Sequence, residues 1–157
     1  MNYAAHNTSE NVVPSGRRWQ VRARLRGVAS QKQTNPSPWS EENFISSYEV
    51  GHKSLVCRVN NIIIGFIIFS VIKKEIHLLN IAVHSEYQKK GAGSLLMDSM
   101  LKQANVMGVS KIYLEVRSKN EKAILFYKKY NFIKDAVRVN YYTGKNSDDA
   151  VLMSLAI

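Results

Sequence analysis

Apolar positions along this chain follow two alternating rhythms. Between residues 53 and 83 they crowd into short runs: Leu55-Val56-Cys57, Ile62-Ile63-Ile64, Phe66-Ile67-Ile68-Phe69 and Leu78-Leu79-Asn80-Ile81-Ala82-Val83. Short runs rich in β-branched and aromatic residues predict strands, at about 53–59, 62–72 and 75–83. Asn60-Asn61, between the first two, suits the positive φ of a tight hairpin. A helical pattern then runs from Gly93 to Met107 and meets Gly108, a residue type that ends helices. In Lys111–Val116 the alternation returns, with Ile112, Leu114 and Val116 on one face and Tyr113 and Glu115 on the other. A second long helix is predicted from Asn120, a suitable N-cap, to Lys129, with Ala123, Phe126, Tyr127 and Tyr130 at helical spacing. Strands at 132–141 and 149–156 flank the loop Thr143–Asp148. Upstream, Ser40 can cap a short helix whose first turn carries Glu41 and Glu42.

The order strand, turn, helix, strand, helix gives an α/β (α+β) fold class and draws attention to one turn. Tyr87-Gln88-Lys89-Lys90-Gly91-Ala92-Gly93-Ser94 joins the strand ending at Val83 to the helix that follows. Such a turn can aim free backbone N–H groups and the positive end of a helix dipole at one anion. Glycine lets the backbone approach closely, and Lys89 and Lys90 add charge at the same mouth. A phosphate-bearing ligand fits, although a solvated Lys-Gly turn would read the same way. A P-loop is excluded, because no Lys-Ser or Lys-Thr follows the second glycine at the required spacing. A dinucleotide fingerprint fails too: Leu96 stands where its third glycine would fall. Glu115 lies where that fingerprint's ribose-binding acid would sit, but the strand-to-glycine spacing is too long.

Composition narrows the setting. At 157 residues, 45% hydrophobic and 22% charged, the chain is one domain's worth of ordinary globular sequence. Its longest apolar run, Ile62 to Phe69, is too short to span a bilayer, so no membrane partner is expected. The single cysteine, Cys57, excludes an intramolecular disulfide and suits a cytoplasmic location; inside a strand pattern it reads as a buried hydrophobe. His52, His77 and His84 lack metal-ligand spacing, so no metal is expected. Net charge is +10, and half of it lies in residues 1–33, where six basic residues face Glu10 alone. With Pro14, Gly16 and little periodicity, this segment reads as a poorly ordered basic tail. Its charge allows weak contact with ribosomal RNA, a polyanion. A transit peptide shares this arginine-rich, acid-poor composition.

Several segments together resemble the Gcn5-related N-acetyltransferase (GNAT) superfamily over residues 34–157. They are Asn35-Pro36-Ser37-Pro38-Trp39-Ser40, Asn80-Ile81-Ala82-Val83, Gln88-Lys89-Lys90-Gly91-Ala92-Gly93, Leu114-Glu115-Val116-Arg117, Ala123-Ile124-Leu125-Phe126-Tyr127, Asn140-Tyr141-Tyr142 and Asp149-Ala150. Leu-Glu-Val-Arg and Asn-Tyr-Tyr in this order resemble, more narrowly, the RimI type, which acetylates the N-terminal alanine of small-subunit ribosomal protein eighteen. Residues 1–29 do not resemble the strand and helix with which the family begins. Asn131 replaces the family's usual glycine after the second helix, a mild change because asparagine tolerates a left-handed terminus.

The resemblance implies a mixed sheet of six to seven strands flanked by helices, with acetyl-CoA as co-substrate. Backbone groups of Ile81, Ala82 and Val83 would line its pantetheine arm, at a splayed strand end whose N–H groups serve the acetyl carbonyl. Lys89, Lys90, Gly91, Ala92, Gly93 and Ser94 would hold the pyrophosphate, and Asn120 the pantetheine. Glu115, in an apolar strand that would raise its pKa, is the candidate base; the plainer reading is an edge glutamate paired with Arg117 or a lysine. Tyr127, a phenol with an ordinary pKa near 10, is the candidate acid; otherwise it is a core aromatic. Trp39, Tyr141, Tyr142 and Asp149 would form or support a groove for a ribosomal protein N-terminus, although the two tyrosines also suit half-buried packing. Two other functions fit the residues: acetylation of another amine (other protein N-termini, a polyamine, an antibiotic), or a non-enzymatic basic ribosome-associated module.

Overall fold

The computed structural model describes residues 12–14, 39–60, 62–144 and 147–157. Asn35–Pro38, Asn61, Lys145, Asn146 and most of the basic segment lie outside the described residues. Strands β1 (Val12–Pro14), β2 (Lys53–Val59), β3 (Ile62–Ile72), β4 (Glu75–Val83), β5 (Lys111–Arg117), β6 (Ile133–Tyr142) and β7 (Asp148–Ala156) form one sheet. Helices α1 (Glu41–Glu49), α2 (Ala92–Val106) and α3 (Glu121–Lys129) interrupt them in chain order. The sheet order is β1-β2-β3-β4-β5-β7-β6. Among the described residues only β4 and β5 pair in parallel, joined by the α2 crossover, and the other strand pairs are antiparallel. The sequence contained no signal for β1, a three-residue strand that pairs with Leu55–Cys57. Residues of the basic segment therefore contribute an edge to the sheet.

Local chemistry explains most boundaries. Ser40 and Asn43 form a reciprocal capping box at the start of α1. Asn60 turns the β2–β3 hairpin with φ 48°, and Gly108 and Asn131 leave α2 and α3 at φ 63° in each case. Two cores result from strand alternation. On one face Leu55, Ile67, Phe69, Ile76, Ile112, Leu114 and Val116 pack under α2 and α3; on the other Val56, Ile63, Phe66 and Ile68 pack with Phe44 of α1. Each fully buried side chain of this size contributes on the order of 2 kcal/mol. Cys57 is buried in the first core.

The feature that matters for chemistry is a fork. The β4–β5 ladder runs from Glu75↔Lys111 to Leu78↔Leu114 and stops there. At the same level β4 carries a bulge: Ile68 pairs with Asn80 and Phe69 with Leu78, which leaves Leu79 unpaired. A bulge adds local twist and bends its strand. Beyond it Asn80–Val83 stay with β3 and leave β5. Gly65 of β3 permits the close approach, since a Cβ there would lie 3.0 Å from the Ala82 carbonyl oxygen and 3.2 Å from Leu96 Cδ1.

Candidate active site

Glu115 is the first β5 residue past the fork. It alternates away from the core face that Leu114 and Val116 occupy, and about a third of its side chain is exposed. It is partly open to solvent rather than enclosed, with Leu152 of β7 paired beside it. Arg138 Nη1 of β6 donates to its Oε1 at 2.6 Å, a partner that the plain edge-glutamate reading did not name. The Tyr141 hydroxyl hydrogen-bonds to the same carboxylate, which pushes that phenol's pKa up. Arg138 reaches Glu115 over β7, where Ala150 pairs with Arg138 on one side and Arg117 on the other. Directly paired residues share a face, and the small Ala150 side chain leaves the path open.

Tyr127 comes from the opposite side. It is 7% exposed in α3 and packs against Phe126 and Phe132, with ring centroids 5.7 and 5.8 Å away. Burial pushes its phenol well above the ordinary value, and Tyr142 adds a smaller push in the same direction. The expectation of an unperturbed phenol near pH 10 is therefore corrected: desolvation of the phenolate makes Tyr127 hold its proton more tightly. Tyr142 feels the charge of Glu115 and acts on Tyr127. Its own phenol is pushed up by burial first and by the Glu115 charge second, while Arg117, 4.0 Å over its ring, acts in the opposite sense. Glu115 and Tyr127 thus lie toward opposite faces of the sheet, and Tyr142 is within electrostatic reach of each.

The glycine turn is shaped as an anion mouth. Lys89 (φ 57°) and Gly91 (φ 90°) both adopt left-handed backbone, and Gly91 is the N-cap of α2. A Cβ at Gly91 would meet nothing within 4 Å, so conformation rather than space calls for glycine. Serine caps α1 and asparagine caps α3, but no side chain caps α2 and no acid sits in its first turn. The N–H groups of its first turn, at Ala92, Gly93 and Ser94, therefore keep their donor capacity. Gln88 ties the turn to the fork by donating from Nε2 to the Val83 carbonyl oxygen at 3.0 Å. Ile81, Ala82 and Val83 are all half-buried beside it.

Asn120 is the α3 N-cap, accepting from Ala123 N–H at 3.2 Å through Oδ1; its NH2 group is not used by that cap. Asp149 accepts from the Asn140 backbone N–H at 2.8 Å. Asn140 has φ 53° in a stretch where the β6–β7 register shifts between Arg138 and Tyr142. Asp149 thus braces the bulge that presents Tyr141 and Tyr142, whose rings meet edge to face at 5.2 Å. Tyr142 is half-buried and Tyr141 exposed. Trp39 meets Phe44 at 5.3 Å and packs on the same cluster as Ala82, opposite the Tyr127 face.

Two participants escaped the sequence reading. One is Arg138. The other is Asp148, buried at the start of β7, which accepts from Ser118 Oγ at 2.6 Å, Asp149 N at 2.9 Å and Lys119 N at 3.2 Å. The Ser118 hydroxyl chiefly holds its carboxyl below the usual range. These bonds pin the loop Ser118–Asn120, between β5 and α3, against β7. Among the described residues no cluster of three His, Cys, Asp or Glu could hold a metal, and no helix is long and apolar enough to cross a membrane.

The chain is similar to known proteins over most of its length. The sequence model of the acetyltransferase (GNAT) family matches residues 24–132. The [ribosomal protein bS18]-alanine N-acetyltransferase of Escherichia coli K12 is 33% identical over 128 residues, covering 81% of this chain and 86% of the relative. An N-alpha-acetyltransferase of Saccharolobus solfataricus is 36% identical over 119 residues, covering 68% and 70%. The crystal structure of the Escherichia coli ribosomal-protein-S18-alanine N-acetyltransferase superposes with a TM-score of 0.83 at 28% identity, covering 93% of this chain and 92% of that one. With its forked sheet, its open helix terminus and a family match across most of its length, the chain belongs to the acetyltransferase (GNAT) family and is an acetyl-CoA-dependent acyltransferase.

Proposed function

We propose that this enzyme acetylates the α-amino group of a protein N-terminus, most specifically the N-terminal alanine of small-subunit ribosomal protein eighteen, in the cytoplasm. The observation that carries the reading is the position of Glu115, first past the fork where β4 leaves β5. In this reading residues 34–157 hold both sites. Lys89, Lys90 and Gly91, with the α2 first-turn N–H groups of Ala92, Gly93 and Ser94, bind the diphosphate. Ile81, Ala82 and Val83 lie along the pantetheine arm, and the Asn120 NH2 group donates to it. Acetyl-CoA, when bound, supplies the acyl group and the thiol leaving group.

Glu115 takes the proton of the attacking amine, directly or through a water, as the amine nitrogen bonds to the thioester carbon. Tyr127 gives its phenolic proton to the departing sulfur as the C–S bond breaks. The proton on Glu115 returns by way of solvent to Tyr127, so the turnover closes on an amide and a free thiol. An α-ammonium has a pKa of about 8, so the base has a small task near neutrality. Trp39, Tyr141 and Tyr142 line the acceptor groove and Asp149 supports it.

The test is incubation with acetyl-CoA and separated ribosomal proteins, read by intact mass, beside an Ala-starting peptide, a polyamine and an aminoglycoside. A single acetyl group on one ribosomal protein and on the peptide is expected. Transfer to the small amines alone would move the enzyme to another acceptor class. Salt-dependent RNA binding without transfer would contradict the enzymatic reading.

A further inference from the structure

The ion pair at Glu115 needs a reason beyond stability. Arg138 is about half exposed, and exposed pairs of this kind contribute little to folding. Yet the bond is short, the guanidinium crosses a whole strand over Ala150 to make it, and its carbon lies 5.4 Å from the Tyr141 ring centre. The charged and titratable groups on the Glu115 side are Tyr113 and Arg117 on β5, Arg138, Tyr141 and Tyr142 on β6, and Asp148 and Asp149 on β7. Asp148 is committed to Ser118 and Lys119, Asp149 to Asn140, and Arg117 lies over Tyr142. Among the described residues Arg138 makes the ion pair with Glu115.

We propose that Arg138 is a positioning residue for this reaction: it fixes the Glu115 carboxylate at the fork and balances its charge, so that an arriving α-ammonium gives up its proton instead of being held there as a salt bridge. This rests on the reading of Glu115 as the base. A bare carboxylate would hold an incoming α-ammonium as a salt bridge, and a protonated amine has no lone pair for attack. A guanidinium already on that carboxylate disfavours the charged amine beside it, as any nearby like charge does. It also removes the rotamer freedom of Glu115, and misplacing a catalytic group by about 1 Å costs on the order of a hundredfold in rate.

The experiment uses the full chain, acetyl-CoA and an Ala-starting peptide, with kcat and KM measured from pH 6 to 9.5. For R138Q, kcat should fall at least about tenfold at neutral pH with KM for the peptide unchanged or lower. The acidic limb of its kcat profile should move up by about one pH unit. R138K, which keeps the charge and loses the planar fork, should restore the limb and only part of kcat. In an E115Q background, assayed near pH 9 where the amine is largely neutral, R138Q should cost nothing more, because Arg138 acts through Glu115. An equal loss in both backgrounds would mean a merely structural role and overturn the proposal. So would R138Q with wild-type kcat and pH profile; with E115Q impaired, that result leaves the base assignment standing. Wild-type turnover in E115Q would overturn both readings together.

Discussion

Glu115 and Tyr127 differ in what their surroundings do to them. Glu115 is half of an exposed ion pair, whereas Tyr127 is enclosed by aromatic rings. Removing the Glu115 carboxylate in E115Q should therefore cost more turnover at pH 6.5 than at pH 9, where the acceptor amine is neutral without help. A steady-state pH series checks this, and an equal loss at every pH counts against the base role. Tyr127→Phe should keep the fold, because among the described residues no hydrogen bond depends on its hydroxyl, and should lower kcat by about a hundredfold. Burial raises the folded-state pKa of this phenol, so its proton persists through the ordinary phenol value. The wild-type kcat should show no alkaline fall from Tyr127 up to about pH 10. For stability the sign is the same: Tyr127's contribution is complete below the unfolded phenol's pKa and is lost as pH rises past it. Both residues stood out in the sequence because Leu-Glu-Val-Arg and the α3 spacing carry local signals. Arg138 did not, since its partner lies two strands away across Ala150 and no spacing along the chain records that register.

At the level of elements, the helices and central strands were readable because each carries its own punctuation. Ser40 and Asn120 open helices, Gly108 and Asn131 close them, and Asn60 turns a hairpin. The fork was foreseen only as a splayed end implied by family likeness. Its physical cause, the bulge at Leu79, is a two-strand property that a single strand's alternation does not show. Strand β1 was missed because three residues beside a proline give no period to detect. Two predictions belong here. Gly91→Ala places a Cβ at φ 90° and should cost about 1 kcal/mol in thermal or denaturant unfolding. It should also raise the KM for acetyl-CoA more than the KM for peptide. Asp148→Asn puts an NH2 group against the Lys119 N–H and should loosen the loop that leads into α3. Since the carboxyl of Asp148 is held low in the folded state, its contribution is present above about pH 4 and disappears as pH falls further. The stability gap between D148N and the native chain should therefore narrow on acidification, as denaturant titrations at pH 7 and pH 3 would show.

For the molecule as a whole, sheet order converts these local features into one machine. The parallel pairing of β4 with β5 puts the open end of α2 and the carboxyl ends of both strands on the same side. The β7–β6 return then carries Tyr141, Tyr142 and Arg138 back over that end. Charge balance alone would not have located the site, because half of the +10 lies in residues 1–33, far along the chain from Lys89 and Glu115. The most direct measurement is a crystal structure of the full chain bound to a conjugate of coenzyme A, an acetyl bridge and an Ala-starting peptide. The account predicts the diphosphate at Lys89–Ser94, the sulfur within hydrogen-bonding reach of the Tyr127 hydroxyl, and the peptide nitrogen near Glu115 directly or through one water. A conjugate seated with its sulfur and nitrogen remote from both side chains would contradict it.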